Sequence, residues 1–251
     1  MPVKQELEFS QTGEIPPVHY QGKLGTSQIS GFVDRVDLFT KDGRTYVRVV
    51  DYKTGKKSFD YTDILNGIGL QMLIYLFALK QYGPDLFGTE VNLGGVLYVP
   101  ARVPVISSPT KLTAEGARNK RLVEFQRKGL VLGEPAVLQA MEPEFESGSK
   151  FMPFRLDGKG NLTGDLASRE QLELLEQYVN QVIQSMTDQI YAGNVEPNPI
   201  FRGSDQGACQ YCEYTQVCHL SSDVKIRMME KTDRKEFWQR VERQVRDSAE
   251  H

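Results

Sequence analysis

The segment Gly31–Gly55 reads GFVDRVDLFTKDGRTYVRVVDYKTG, and its pairing as a β-hairpin decides the fold. Asp42-Gly43 is a strong signal for a two-residue turn, because both residues tolerate the positive φ that a type I′ turn needs. With that turn at the tip, Lys41 faces Arg44 and the register follows by counting outward. Leu38 then faces Val47, Val36 faces Val49 and Asp34 faces Asp51. On the other side Phe39 meets Tyr46, Asp37 meets Arg48 and Val33 meets Tyr52. Apolar pairs with apolar, and Asp37 meets an opposite charge.

Asp34 and Asp51 break that rule. They are expected opposite each other on the apolar side, with Cβ atoms about 5 Å apart. Two carboxylates at that separation repel by about 3 kcal/mol at an effective dielectric near 20, and desolvation adds to this. A shared proton or an intervening cation relieves the conflict. Lys53 lies two residues beyond Asp51, so its side chain leaves the strand on the same face. Two acids and a lysine describe a site for a hard divalent ion with a cation beside it. Magnesium suits a few carboxylate oxygens plus retained waters, and it can convert a bound water into a nucleophile.

The same residues carry a resemblance. Asp34, then Asp51-Tyr52-Lys53, then Gln71-Met-Leu-Ile-Tyr75 resembles the D…(D/E)xK…QxxxY signature of RecB-like nucleases in the PD-(D/E)xK phosphodiesterase superfamily. The segment Gly129–Met141 (GLVLGEPAVLQAM), the helix that follows it and the later Gly193-Asn-Val turn resemble AddB-type subunits of bacterial helicase–nucleases. The resemblance implies an α/β, restriction-endonuclease-like core with a mixed central sheet flanked by helices. It implies Mg2+ or Mn2+ held by Asp34, Asp51 and the Tyr52 carbonyl. Lys53 would position or activate the attacking water, while Gln71 and Tyr75 would hold the DNA strand.

In the resembled family a further acidic or histidine ligand comes from a helix upstream of the first strand. Residues 1–30 contain no such helix, so the chain reads as part of a longer polypeptide. Glu6, Glu8 and Glu14 are available carboxylates, each expected at a solvated surface.

The whole chain bounds the rest. Its 251 residues are enough for one sizeable core and a small appendage. Hydrophobic content of 39% and charged content of 25% are ordinary for a globular protein. No apolar run approaches about 18 residues and the N-terminus lacks signal-peptide character, so a cytoplasmic location without membrane contact is expected. The net charge of −3 argues against a wholesale nucleic-acid coat and confines DNA contact to local basic patches. No Walker A motif occurs, so any ATPase activity belongs elsewhere.

After the hairpin, Lys56, Lys57 and residues 58–63 form a polar connection. A helix is expected from Asp63 to Gln81, with Ile64, Leu65, Ile68, Met72, Leu76 and Leu79 at helical spacing and Gly83-Pro84 as its stop. Gln71 and Tyr75 share one of its faces. Gly94–Ala101 reads as the next strand. Residues 102–167 read as irregular and carry a basic cluster of Arg118, Lys120, Arg121, Arg127 and Lys128, which is either a solvated helix face or a phosphate-contact patch. Ser168 and Gln171 predict a capping box. The helix they open has Leu172, Leu175, Val179, Val182, Met186 and Ile190 as its core stripe and ends at Gly193. Trp238, in the charged tail, is expected to pack on the parent domain.

Cys209, Cys212 and Cys218 are the chain's three cysteines, within ten residues of one another. Closely spaced thiols outside a secreted framework point to a metal or an iron–sulfur cluster. Three ligands complete neither a tetrahedral zinc site nor a four-iron cluster, and His219 is too close to Cys218 to chelate the same ion easily. The C-x2-C-x5-C spacing resembles the C-terminal part of the iron–sulfur staple of AddB-type nucleases, whose first cysteine lies far upstream. On that likeness the three thiolates belong to a 4Fe-4S cluster that closes a long loop.

The expected organisation is a nuclease core over 1–202, a cysteine segment over 203–220 and a charged tail over 221–251. The expected function is a DNA exonuclease module acting at double-strand breaks beside an AddA-type subunit. The alternatives are an iron–sulfur nuclease of the kind serving CRISPR adaptation and a non-catalytic DNA-end or subunit-binding module.

Overall fold

The computed structural model describes residues 1–55, 57–103, 105–147, 149–203, 207–218 and 224–249. Lys56 and His219, both singled out from the sequence, lie outside them. The chain divides into two compact units that are interleaved along it. The first comprises Met1–His19, Gln28–Phe59 and Leu70–Gln177, and the second Tyr20–Ser27, Asp60–Gly69 and Tyr178–His251.

The first unit is an α/β body around a six-stranded mixed sheet. Its strands are β1 (Pro2–Phe9), β2 (Gly31–Lys41), β3 (Arg44–Lys53), β4 (Val91–Pro100), β5 (Lys128–Leu132) and β6 (Leu166–Ala167), adjacent in that order. β3 runs parallel to β4, and β5 to β6; the other neighbours are antiparallel. A parallel neighbour needs a crossover, and between β3 and β4 it contains α1 (Tyr61–Leu65) and α2 (Gln71–Phe87). α2 packs on β3 and β4.

The hairpin register follows from its turn. Asp42 and Gly43 have φ of 51° and 73°, as a type I′ turn demands. Lys41 pairs with Arg44, Leu38 with Val47, Val36 with Val49, Phe39 with Tyr46 and Asp37 with Arg48. Both faces of the hairpin are covered, however. Val36, Val47 and Val49 are fully buried on one side. On the other, Val50, Leu97 and Val131 join Leu138, Phe145, Met152, Phe154 and Leu166 in a second core.

Asp37 is therefore 2% exposed. Arg35 Nε reaches its Oδ1 at 2.6 Å, and Arg48 donates to its Oδ2. Burial alone would push the Asp37 carboxyl up, but the hydrogen bonds from Arg35 and Arg48 outweigh it and hold the group below the usual carboxylate range.

Three expectations are corrected. The helix over 63–81 is two helices. Gly67 and Gly69 take φ of 75° and 70° and break it, although the apolar spacing runs on through them. Gly83-Pro84 does not stop α2, which continues to Phe87 and ends at Gly88 in the left-handed region. With no Cβ, Gly83 avoids the usual clash ahead of proline and lies against Val91. Residues 102–167 are not irregular. They contain α3 (Ala114–Glu124), β5, α4 (Pro135–Met141), a ribbon of Phe154–Leu156 with Leu162–Gly164, and β6.

The helix α5 (Arg169–Tyr191) opens with the capping box: Gln171 N–H donates to Ser168 Oγ at 3.2 Å, and Ser168 N–H to Gln171 Oε1 at 2.9 Å. Leu172 and Leu175 are buried in its first part. In the part that belongs to the second unit, Val179, Ile183 and Thr187 are buried, whereas Met186 and Ile190 are exposed. The buried stripe thus advances in steps of four, away from the expected Val182–Met186–Ile190 line.

The second unit also holds α1, α6 (Thr215–Cys218) and α7 (Arg234–Ala249). Tyr61 packs on Phe237 with ring centroids 5.0 Å apart, and Phe237 packs edge-on against Trp238, which is 9% exposed. Arg202 pairs with both Asp60 and Asp63. Among the described residues no helix is long and apolar enough to cross a membrane.

Candidate active site

The hairpin ladder stops at Arg35↔Val50. One step further out, Asp34 does not continue as a plain cross-strand pair. Its Oδ2 accepts a hydrogen bond from the Tyr52 backbone N–H at 2.8 Å. A carboxylate thus serves a backbone donor where the ladder ends, next to Asp51.

Asp51, on β3, is mostly buried. Lys53 Nζ donates to its Oδ1 at 3.0 Å and lies 2.8 Å from its Oδ2. The Lys53 ammonium thus straddles both Asp51 oxygens, with Oδ2 the nearer. A carboxylate held by one ammonium still has lone pairs that a second cation can use.

Lys53 is 39% exposed along its side chain, so one edge of it faces outward while its ammonium holds Asp51. Tyr52 alternates to the opposite face, where its hydroxyl accepts from Arg35 Nη1 at 3.0 Å.

Gln71 opens α2, and its Nε2 donates to the Tyr75 hydroxyl at 3.2 Å. The Tyr75 ring is 3% exposed and stacks on Phe9 at 5.1 Å. Its hydroxyl sits against Gly31: a Cβ added there would lie 1.9 Å from it. Gly31 is thus a site-adjacent position that motif spacing does not flag. A lone glycine opening an apolar strand is the available signal, since it marks a close approach.

Two carboxylates with retained waters are a ligand set that suits magnesium, and Asp34 and Asp51 are two such groups at the end of the hairpin. Among the described residues, no three His, Cys, Asp or Glu side chains gather into a metal-binding group. Glu14 is paired with Lys4, and Glu6 is exposed on β1.

The cysteines differ from this. Cys209 lies in a 3-10 turn over Gly207–Tyr211, Cys212 just after it and Cys218 at the end of α6. None is in a disulfide, and Cys212 and Cys218 are exposed. As they stand, the three thiols are not gathered around one point and do not fit a cluster.

The basic run separates. Arg118, Lys120 and Arg121 are on α3, which buries no residue. Arg127 turns inward, and burial, reinforced by the Arg48 and Arg35 charges, holds its guanidinium below the ordinary arginine value. Lys128 begins β5 and lines a cavity of about 350 Å³ together with Lys53.

The family model of the PD-(D/E)XK nuclease superfamily matches residues 1–219. The chain belongs to this superfamily.

The chain is also similar to B-type subunits of ATP-dependent helicase/deoxyribonucleases. The Clostridium kluyveri protein is 30% identical over 255 residues, covering 98% of this chain and 22% of that protein. The Acetivibrio thermocellus protein is 31% identical over 227 residues, covering 89% and 20%. The chain therefore spans about a fifth of the length of these relatives.

Proposed function

We propose that this chain is the metal-dependent DNA-cutting module of a helicase–nuclease, hydrolysing phosphodiester bonds at DNA ends. The observation that carries the reading is the end of the hairpin, where Asp51, largely buried and held by Lys53, precedes the backbone N–H that the Asp34 carboxylate accepts from.

Asp34 and Asp51 would hold Mg2+ or Mn2+, with the Tyr52 carbonyl as a further candidate ligand. Such an ion, when bound, supplies Lewis-acid polarisation of the phosphate and a more acidic water. The remaining roles belong to the chain. The Asp34 bond to the Tyr52 N–H fixes the backbone on which the DxK triplet sits. Lys53 has an ammonium near Asp51 and an exposed flank, so it can orient the attacking water and stabilise charge on the phosphate. Gln71 and Tyr75, tied by their own hydrogen bond, act as positioning residues beside Gly31 and the start of β2.

The names of the similar proteins support a helicase partner; double-strand breaks in recombinational repair as the setting and the cytoplasm as the place rest on the sequence reading alone. A structural 4Fe-4S cluster on Cys209, Cys212 and Cys218 rests on the resemblance of their spacing alone, and the thiols as placed do not fit it. No step of the reaction is routed through it.

The test is cleavage of an end-labelled DNA in magnesium by the parent, Asp51→Ala and Lys53→Ala. Each variant is expected to lose at least about 100-fold in rate. Variants that cut as well as the parent would falsify the assignment.

A further inference from the structure

Beside Lys53 lies a cavity of about 350 Å³, formed where the ends of β3 and β4 meet the start of β5. Four cationic side chains line it: Lys53, Lys57, Arg102 and Lys128. Glu124 is the acid on its wall. That excess stands out in a chain of net charge −3. Among the described residues, no acid pairs with Lys57, Arg102 or Lys128. Lys57 instead lies 5.9 Å above the Tyr98 ring, and Lys128 donates to Gln126 Oε1 at 3.1 Å. Four cations to one acid around a concave space are a cost to the fold unless an anion enters.

We infer that this cavity is a phosphate subsite for a single nucleic-acid strand, holding a phosphodiester that flanks the one being cut. The inference rests on the nuclease reading for what the strand is doing there. Lys53 makes the connection, since it lines the cavity and also holds Asp51. The cavity's volume is that of a small-ligand site, so it takes one nucleotide unit and no duplex. The Tyr98 ring is 6% exposed and covered by Lys57, which leaves no open face for a base to stack on. The cavity therefore grips sugar and phosphate, and the contact carries no base preference.

The experiment is fluorescence anisotropy of the purified chain with labelled oligothymidine in EDTA, across a salt series. Lys57→Gln, Arg102→Gln and Lys128→Gln are compared singly and combined, with Arg118→Gln on α3 as the control. Each single variant is expected to bind about fivefold more weakly, with the slope of log affinity against log salt falling by about 0.7 per charge removed. The control keeps parental binding, oligoadenosine behaves like oligothymidine, and a blunt duplex is affected less than a single strand.

The inference is overturned if the triple variant, melting at the parental temperature, retains the parent's affinity and salt slope. It is also overturned if single strand and blunt duplex weaken alike, or if the parent binds no strand. The two readings fail separately. A parent that binds in this way but never cuts leaves the subsite standing without the nuclease. A parent that cuts while the triple variant binds normally does the reverse.

Discussion

The Asp34 carboxylate takes the backbone N–H of Tyr52 at 2.8 Å, immediately beyond the last rung of the hairpin ladder. It replaces a missing strand partner at the residue that follows Asp51, so its structural and chemical roles can be separated by substitution. Asp34→Asn keeps an acceptor for Tyr52 and is expected to unfold in urea within about 0.5 kcal/mol of the parent. Asp34→Ala leaves that donor without its partner and costs about 1 kcal/mol more. Both variants are expected to lose cleavage by at least about 100-fold, because neither supplies a carboxylate.

Gly31 and Tyr75 form a second coupled pair. In Gly31→Ala the new methyl would lie 1.9 Å from the Tyr75 hydroxyl and 3.1 Å from its ring carbon Cζ. The ring must move, at an expected cost of about 1–3 kcal/mol. Tyr75→Phe removes the closest clashing atom, so the double variant should be more stable than the sum of the two single losses requires. A double-mutant cycle in urea measures this coupling.

Asp37 neutralises part of a buried arginine group, so Asp37→Ala should cost about 3 kcal/mol by leaving Arg35 and Arg48 uncompensated. The acid side follows from the same contacts. The Asp37 carboxyl is held below its ordinary value of 3.8 in the folded chain. Its contribution is present above pH 3.8 and is lost as pH falls through the lower folded value. Thermal melts from about pH 6 downward should show a steeper acid loss for the parent than for Asp37→Asn.

Tyr178 behaves in the opposite sense. Burial pushes its phenol up to about 12, against a small lowering by Arg240, and its hydroxyl donates to the Leu65 carbonyl at 2.9 Å. This contribution is complete below pH 10 and is lost as pH rises towards about 12. Tyr178→Phe should cost about 1 kcal/mol at neutral pH and show a shallower alkaline decline in chemical denaturation.

Much of the site could be read locally. The Asp42-Gly43 turn fixes its neighbours, so every rung from Lys41–Arg44 to Val36–Val49 follows by counting. Counting fails at Asp34, where a side chain replaces the backbone rung and no periodicity records the exchange. The helix break at Gly67 and Gly69 was hidden because Ile64, Ile68 and Met72 keep helical spacing across it. Gly31 gains meaning only once Phe9 and Tyr75, distant in sequence, meet over it. The charge run was misleading for a similar reason. Arg127 and Lys128 are adjacent in the chain, but they part where β5 begins: Arg127 turns toward the Arg35 and Arg48 charges and Lys128 lines the cavity beside Lys53.

The most direct measurement of the central claim is a calorimetric titration of the purified chain with Mn2+, made without DNA. The parent is expected to bind the ion, and Asp34→Asn and Asp51→Asn are each expected to weaken that binding at least about tenfold. Equal binding by parent and both variants would contradict a metal held between these two aspartates. A parent that binds no divalent ion would contradict it as well, and would favour a DNA-end or subunit-binding module.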